Sequence, residues 1–490
     1  MYKTENFAQN EFKPARFESK GEITLRGQKI PYHTVSEDTV FYDNGGKPIA
    51  SMFSYSYFRS DVKDTASRPV IFCYNGGPGS SSMYVHAGFL GTKRITYTEA
   101  PDRPSALGPF EVIDNPDCLL DVADIVFVDP VGTGYGVLID DEKASTFFGI
   151  EEDAEALLTF IEKWIARYDR WLSPRYLVGE SYGCTRSAIA AGMGVTGGKD
   201  RTYTLTFDGI VFIGNTVTVG KYFGREIPVE PSVIGFPTYA GINWYHNHPS
   251  NQTVEEFVAE AKAFADNDYL LALYKGERLK GAEREAIVKK ISYYTGMPAE
   301  YLEKRDLRID DATFRIEVAK QQDKSVARFD GRITRPRYNP ELVEETVGIR
   351  DDASTDRYGS YFISALNGVI FPMLGIKLDR VFIPSYAMWD FKTKESKWNQ
   401  ESPRGTTGEQ LRNAMMRTPG MRSFFANGWY DGATMIGHVY YTLDHGGLPL
   451  DRVCVKGYQS GHMIYIGEEN IKELNDDIRD FIAGGMPTND

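Results

Sequence analysis

A serine between glycines is the feature of this sequence with the clearest chemical meaning. Residues 179–183 read Gly-Glu-Ser-Tyr-Gly, which fits the pattern G-x-S-x-G of a nucleophile elbow with Ser181 at its centre. A short apolar run, 176–178, precedes the motif, and a segment typical of a helix, 187–191, follows it. The five-residue pattern alone also fits an ordinary turn, but a strand, a sharp turn and a helix in this order favour a catalytic serine. Such a serine needs a base, an acid that orients the base, and oxyanion donors.

The base is sought among the seven histidines of the chain. It must lie at the carboxyl edge of the sheet, beside the serine, so the histidine must follow a strand. His462 meets this condition, because it follows the apolar run 453–455 in the loop 459–463. A histidine with no assigned role is ordinarily a surface or core residue, but the strand-end position predicts that His462 is the base.

The acid that accepts the imidazole N–H is expected at the end of the preceding strand. The run 424–426 is predicted to be that strand, and Asp431 follows it within Asn-Gly-Trp-Tyr-Asp-Gly. Asp-Gly is also a turn dipeptide, so a structural aspartate is the alternative. Asp444 and Asp451 compete for the role but lie nearer the start of the last strand. Strand-end geometry therefore favours Asp431.

A glycine-rich loop offers donors for the oxyanion. Residues 75–82 read Asn-Gly-Gly-Pro-Gly-Ser-Ser-Ser and follow the apolar run 70–74. Beside a nucleophile elbow, one oxyanion N–H comes from such a loop and the other from the residue after the nucleophile. These residues are Gly77 and Tyr182. A phosphate-binding loop is a competing interpretation, but the Gly-Lys-Ser/Thr ending of a Walker motif is missing. A loop without a catalytic role is the other competing interpretation, and the position of the loop directly after a buried strand disfavours it.

The elements that must position these residues alternate between strand and helix. Short apolar runs at 70–74, 125–128 and 210–213 are typical of strands buried on both faces. Apolar residues recur with helical spacing through 154–165, between the second and third of these runs. The alternation predicts an α/β fold with a mostly parallel central sheet flanked by helices.

The alternation breaks after about residue 216. Thr253 and Glu256 form a capping-box pattern ahead of an apolar helical stripe, and a second stripe, 287–294, follows. A simple helical subdomain accounts for this region, and its place between core strands predicts a cap over the active-site edge. We therefore expect a core in two parts, 1–215 and 356–490, with an inserted, mainly helical cap at 216–355.

Together these segments resemble the serine carboxypeptidase family of the α/β-hydrolase superfamily. The family has Asn-Gly-Gly-Pro-Gly before a serine-rich segment, Gly-Glu-Ser-Tyr at its nucleophile and Gly-His-Met at its histidine, and this sequence repeats all three. The similar segments are, in chain order, 75–82, 129–135, 179–182, 209–215 and 461–463. The resemblance covers roughly 70–215 and 420–485 and implies an α/β-hydrolase fold with an inserted cap.

The resemblance also implies an activity. The family removes the C-terminal residue of a peptide through an acyl-enzyme, which here would use Ser181, His462 and Asp431. The implied partner is a peptide with a free C-terminus, and no metal or organic cofactor is implied. Esterase or acyltransferase action with the same three residues is an alternative. A non-catalytic scaffold is another, which the complete set of motifs disfavours.

The family's residues for the substrate carboxylate fall on Asn75 and Glu180, with Gly76 in the same loop. A glutamate can share a hydrogen bond with a carboxylate only when it is protonated, so the family typically works at acidic pH. A second glutamate often shares that proton. Its position falls here on Phe89 or, with another alignment, on Ala106, and neither is acidic.

This departure changes the expected recognition of the carboxylate. Asn75, Glu180 alone, or a cation such as Lys93 or Arg94 are the candidates, although both cations are expected to be solvated charges. Without the second carboxyl group, we expect the pH optimum to move towards neutrality. Cys73 also stands where the family usually has Trp.

Composition restricts the remaining possibilities. Hydrophobic residues make up 42% and charged residues 25%, as in ordinary globular proteins, and the formal charge of −13 disfavours nucleic-acid or anionic-membrane partners. The sequence has no apolar run long enough for a transmembrane helix and no signal-peptide core. Its four cysteines lack C-x-x-C spacing, which disfavours a disulfide framework or a zinc site. We therefore expect a cytoplasmic protein of a divergent, bacterial-type branch, although a secreted chain without its signal would look the same.

Overall fold

A single large sheet organises the protein. The computed structural model describes residues 12–97, 111–198, 205–219, 230–336, 352–390, 395–402 and 404–489. Ten strands form the sheet, and the short strand Val137–Leu138 pairs beside its main path. The strands of that path are β1 (Arg16–Leu25), β2 (Gln28–Tyr42), β3 (Pro48–Arg59), β4 (Val70–Tyr74), β5 (Asp124–Asp129), β6 (Arg175–Glu180), β7 (Gly209–Ile213), β8 (Arg422–Gly428) and β9 (Val453–Tyr458).

The sheet is antiparallel at one side and parallel across the rest. The strand order is β1-β2-β3-β5-β4-β6-β7-β8-β9. The pairs from β1 to β5 are antiparallel, and every pair from β5 to β9 along this order is parallel. The predicted α/β fold with a mostly parallel sheet is confirmed.

Helices cover both faces of the sheet and fill the insertion between β7 and β8. They are α1 (Ile150–Arg167), α2 (Tyr182–Thr196), α3 (Pro231–Asn247), α4 (Val254–Phe264), α5 (Leu270–Lys275), α6 (Gly281–Thr295), α7 (Ala299–Lys304), α8 (Asp311–Glu317), α9 (Ala353–Ala365), α10 (Thr407–Arg417), α11 (Ile436–His445) and α12 (Glu468–Ala483). Short helical turns span Met83–Val85 and Phe371–Met373. Three small antiparallel sheets of two strands pair Lys93–Ile95 with Val112–Asp114, Lys324–Val326 with Thr334–Pro336, and Trp389–Asp390 with Glu395–Ser396. Within the described residues, no helix combines the length and apolar character needed to cross a bilayer.

Strand β4 shows why the core has two layers. Successive side chains of a strand point to opposite faces of the sheet. Ile71 and Cys73 accordingly pack with the apolar face of α12, whereas Val70, Phe72 and Tyr74 pack on the other side with α1, α2 and α10. A strand buried on both faces reads as a continuous apolar run, which is the pattern of residues 70–74.

The insertion has an apolar cluster of its own. Buried side chains of α3, α4 and α6, such as Phe236, Phe257 and Ile291, pack together, and this cluster meets the end of β8 at Trp429. Phe362, in α9, instead packs with the main core. The division of the chain at 216–355 stays a prediction.

A buried ion cluster lies at the amino ends of β4 and β5. Asp124 accepts hydrogen bonds from Arg68 Nε at 2.8 Å and from an Arg170 terminal nitrogen at 2.5 Å. The side chains of Arg68, Asp124 and Arg170 are 8%, 2% and 2% exposed. The buried guanidinium groups of Arg68 and Arg170 therefore share the Asp124 carboxylate as their countercharge.

Asp124→Asn should therefore lower the free energy of unfolding by about 3–5 kcal/mol, because it leaves buried cations without a countercharge. Urea denaturation followed by tryptophan fluorescence measures the change. Asp266→Asn removes an exposed partner of Lys262 and serves as the control, since surface pairs contribute little. Equal stability of both variants would contradict the prediction.

Candidate active site

Ser181 lies on a strained turn between β6 and α2. Its backbone has φ 58° and ψ −126°, a conformation rare for a residue with a side chain. The Ser181 N–H donates to Ile213 O at 2.8 Å, which ties the turn to the end of β7. Ser181 directly follows β6, at the carboxyl edge of the sheet, and is half-buried there.

His462 and Asp431 form a hydrogen-bonded pair at the same edge. His462 Nδ1 lies 2.9 Å from Asp431 Oδ2. Asp431 also accepts from the N–H groups of Ala433 and Thr434 at 2.8 and 2.9 Å and from Thr434 Oγ1 at 2.5 Å. The loop therefore surrounds a fully buried carboxylate with donors, while Asp444 and Asp451 are exposed elsewhere.

The pair shifts both pKa values towards the ionised forms. Burial by itself raises the pKa of Asp431, but His462 and hydrogen bonds from His462 and Thr434 leave it below its usual value. Burial by itself lowers the pKa of His462, but the Asp431 carboxylate and its hydrogen bond raise it overall. An imidazole that gains a proton is therefore stabilised where it stands.

Gly214 brings the imidazole close to the serine turn. A Cβ on Gly214 would lie 2.8 Å from both Cε1 and Nδ1 of His462, and the residue has φ +58°. Gly214 directly follows Ile213, whose carbonyl accepts the Ser181 N–H. Within the described residues, no hydrogen bond joins Ser181 Oγ to His462. Such bonds are often long in a free enzyme and tighten when substrate binds.

The glycine-rich loop lies against the serine turn. A Cβ on Gly76 would lie 2.3 Å from Tyr182 N, so a side chain at this position is excluded. Gly77 follows with φ +106° and is exposed. The structure therefore brings the backbone of Gly76 against that of Tyr182, the residue after the nucleophile, and the oxyanion roles of Gly77 and Tyr182 stay predictions.

Two buried charges hold this loop. Arg186 donates to Asn75 O at 2.8 Å and pairs with Asp153 at 2.6 Å. At the other end, Asp129 accepts from Ser82 N at 2.8 Å and from Ser82 Oγ at 2.7 Å. Asp129 lies in a segment similar to the family, but the sequence alone predicts no role for it. Nothing in its neighbourhood along the chain indicates that it bonds a loop 47 positions away.

Glu180 lies buried next to the nucleophile, with a tyrosine as its partner. The Tyr465 hydroxyl donates to Glu180 Oε2 at 2.7 Å. Burial raises the pKa of Glu180 to about 7, although His462, Tyr465 and Asn75 each lower it. Below neutral pH the group is therefore mainly a neutral acid, which can donate a hydrogen bond.

Asn75 offers a further donor at this place. Its Oδ1 accepts from the N–H groups of Tyr84 and Val85, both at 3.1 Å, and so caps the helical turn there. Its Nδ2 is buried and makes no hydrogen bond of ordinary geometry among the described residues, although it lies close enough to the Glu180 carboxyl group to lower the pKa of that group. A buried donor without a partner is costly unless something else supplies an acceptor.

The two candidate cations are already paired. Lys93 lies 2.7 Å from Asp114, and Arg94 lies 2.5 Å from Glu468. The expectation that Arg94 is a solvated charge is wrong, because its side chain is 2% exposed. Of the two positions proposed for the second glutamate, Phe89 stacks on Tyr465, and Ala106 lies outside the described residues.

The insertion holds the His462 loop from outside. Phe329 O accepts the His462 N–H at 2.6 Å, and the two rings lie 5.1 Å apart. Arg332 donates to Gln459 O at 2.7 Å and to Ser460 Oγ at 2.9 Å. The sequence did not indicate these contacts, because the segment that makes them has no motif and lies far from the loop in the chain.

Comparison with known proteins agrees with these motifs. The family model described as serine carboxypeptidase matches residues 35–277. This part of the chain belongs to the serine carboxypeptidase family. The match covers the glycine-rich loop and the nucleophile elbow, and it ends before the strands that carry Asp431 and His462.

Individual relatives show how far the likeness extends. Serine carboxypeptidase-like 20 of Arabidopsis thaliana is 30% identical over 172 residues, 34% of this chain and 33% of the relative. Serine carboxypeptidase-like 45 of the same plant is 23% identical over 261 residues, 52% of this chain and 49% of the relative. The matches thus span a third to a half of the length of these relatives.

One solved structure covers nearly the whole chain. With Kex1(delta)p, a prohormone-processing carboxypeptidase from Saccharomyces cerevisiae, the TM-score is 0.51 at 15% identity, over 95% of this chain and 91% of that one. At this identity the likeness shows the fold alone.

We expect Arg332→Met to slow the reaction of Ser181 with a fluorophosphonate, a reagent for activated serines, by about tenfold or more. The variant loses the donors that hold the His462 loop, and a misplacement of about 1 Å can cost up to about 10²-fold. Arg315→Met is the matched control, since Arg315 is equally buried but pairs with Asp311 on its own helix. Unchanged labelling of the Arg332 variant would refute a role for this contact.

Proposed function

We propose that the protein is a serine carboxypeptidase that hydrolyses C-terminal peptide bonds. The observation that carries the proposal is the hydrogen-bonded pair of His462 and Asp431 at the same sheet edge as Ser181 on its strained turn. The family match over the glycine-rich loop and the elbow supports it. Cytoplasmic residence and the absence of nucleic-acid or membrane partners stay predictions from the sequence.

Each residue has one step in the proposed mechanism. Ser181 Oγ attacks the carbonyl carbon of the scissile bond while His462 takes the hydroxyl proton, and Asp431 stabilises the imidazolium. The N–H groups of Gly77 and Tyr182 hold the negative oxygen, a contribution of a few kcal/mol. His462 then gives its proton to the leaving amine. Water, activated by His462, hydrolyses the acyl-enzyme and restores Ser181.

Glu180 and Asn75 provide for the substrate's carboxylate. The neutral Glu180 acid donates one hydrogen bond, and Asn75 Nδ2, which makes no hydrogen bond of ordinary geometry among the described residues, donates another. Both groups are buried, and a hydrogen bond to a charged acceptor is stronger than one between neutral groups. A substrate with an amide in place of the carboxylate forms weaker bonds here and should bind less well.

The first test compares a blocked dipeptide with its C-terminal amide. Faster turnover of the free acid is expected, and equal turnover would contradict carboxypeptidase action and favour the esterase or acyltransferase alternative. Ser181→Ala should abolish both turnover and the fluorophosphonate adduct. A wild-type protein that forms no adduct would instead indicate a non-catalytic scaffold.

A second prediction concerns the orienting acid. Asp431→Asn should lower kcat about 10⁴-fold, because the imidazole loses the acceptor that selects its tautomer. Asp444→Asn, in an exposed position, is the control and should leave kcat unchanged. Steady-state kinetics on the blocked dipeptide gives both values, and an Asp431 variant with nearly full kcat would exclude this assignment.

The pH dependence follows from the two coupled groups. Turnover needs neutral His462, which is lost as pH falls through its raised pKa. Binding of the carboxylate needs protonated Glu180, which is lost as pH rises through about 7. The peptide's kcat/KM should therefore be bell-shaped near neutrality, with limbs that report the coupled pair. The amide's profile should lack the alkaline limb, and a sharp peptide optimum near pH 4–5 would contradict the prediction.

A further inference from the structure

One loop delivers both the candidate base and the partner of Glu180. Tyr465 lies three positions after His462, and its hydroxyl donates to Glu180 Oε2 at 2.7 Å. Its ring stacks on Phe89 with centroids 4.6 Å apart and planes 14° apart. Gly88 leaves room for the same ring, because a Cβ there would lie 2.7 Å from it. The tyrosine is thus held rigidly against the carboxyl group.

We propose that Tyr465 is a positioning residue that fixes which oxygen of Glu180 carries the proton, so that Oε1–H faces the terminal carboxylate of a peptide substrate. The inference rests on the proposed carboxypeptidase function. It extends that function by naming the residue that orients the acid at the carboxylate site, a residue that neither the motifs nor the family match indicated.

The argument follows from counting protons. A neutral carboxyl group has one O–H donor, whereas its other oxygen can only accept. Glu180 Oε2 is the acceptor that the described residues provide for the Tyr465 hydroxyl, so the phenol proton points at this oxygen. The carbonyl oxygen of a neutral carboxyl group is a better acceptor than its hydroxyl oxygen, so the hydrogen bond from Tyr465 favours Oε2 as the carbonyl oxygen and places the Glu180 proton on Oε1.

The phenol keeps its proton throughout the working range. Burial and the Glu180 carboxyl group raise the pKa of Tyr465 well above its usual value. Tyr465 therefore has a proton to donate whether Glu180 is ionised or neutral, and a hydrogen bond from it stabilises the ionised form more strongly. Its loss should raise the pH at which Glu180 ionises.

Other polar groups also lie near Glu180, and they limit what the tyrosine alone controls. They come from the loops that carry Asp431 and His462, from helix α2, and from the glycine-rich loop and the segments after it. These neighbours are Asn75, Tyr84, Tyr97, Cys184, Asp431 and His462. His462 and Asn75 act in the same direction as Tyr465, and Asp431 opposes them, so a single deletion shifts the titration without abolishing it.

The experiment removes one oxygen atom. Tyr465→Phe should move the alkaline limb of the peptide profile to higher pH. Below that limb it should raise KM about twofold, because the Glu180 proton then divides between both oxygens and only about half of the molecules present Oε1–H to the substrate. The kcat value should stay within about twofold, as should the fluorophosphonate labelling rate, which also verifies that the variant is folded. The profile of the C-terminal amide should not move.

Tyr97→Phe is the matched control. Tyr97 is buried nearby, but its hydroxyl is directed at Gly88 O rather than at Glu180. The same deletion there should leave both the alkaline limb and KM at their wild-type values. A shift of equal size in both variants would overturn the proposal, because it would reflect a general change of packing.

A variant without the ionisable group at position 180 tests whether Tyr465 acts through Glu180. Glu180→Gln cannot ionise, so its peptide profile should lose the alkaline limb, and adding Tyr465→Phe should produce no further pH shift. An additional shift in the double variant would overturn the proposal. Equal wild-type turnover of acid and amide would refute the proposed function itself, whereas a normal preference with an unchanged Tyr465→Phe profile would refute the role of Tyr465 alone.

Discussion

The parallel alignment of β4, β6, β7, β8 and β9 is the constraint on which the site depends. In register, Tyr74 pairs with Gly179, Ile213 with Glu180, and Gly428 with Tyr458. Parallel strands end at the same edge, so the loops that follow them meet there whatever their distance in sequence. Ser181, Asp431, His462 and the glycine-rich loop all follow such strands. A slip of one strand by one residue would move its loop and turn its side chains to the other face.

Burying polar groups at this edge requires partners for each of them. Asp431 has donors from its own turn and from His462, and Asp129 accepts from Ser82 and, at 2.9 Å, from Tyr55. Burial raises the pKa of Asp129 to about 6 in spite of these bonds. Glu180 has fewer donors, and burial raises its pKa to about 7. This value suits an acid that must exchange its proton near neutrality. The supply of donors thus separates the roles of the carboxyl groups.

The insertion takes part in positioning the site. The segment around Phe329 and Arg332 bonds the backbone before and at His462, and Gly461 has no room for a side chain because Asp330 lies against it. Arg332 also pairs with Asp330 at 2.7 Å, so the charge that holds the loop is itself neutralised. Order in the insertion and order in the His462 loop are therefore linked through a few buried contacts.

Local chemistry made much of the protein readable in its sequence. The apolar runs 70–74 and 210–213, the helical spacing after them and the elbow around Ser181 predict the α/β sheet and its active edge, because they depend on neighbours within a few residues. Asn75, His462 and Asp431 follow by strand-end position and family motif. The contacts of Tyr465 with Glu180, of Arg332 with the His462 loop and of Asp129 with Ser82 join residues far apart in the chain. No pattern in the sequence predicts these contacts, because they form only after the sheet has brought its loops together. The tertiary structure alone decided them.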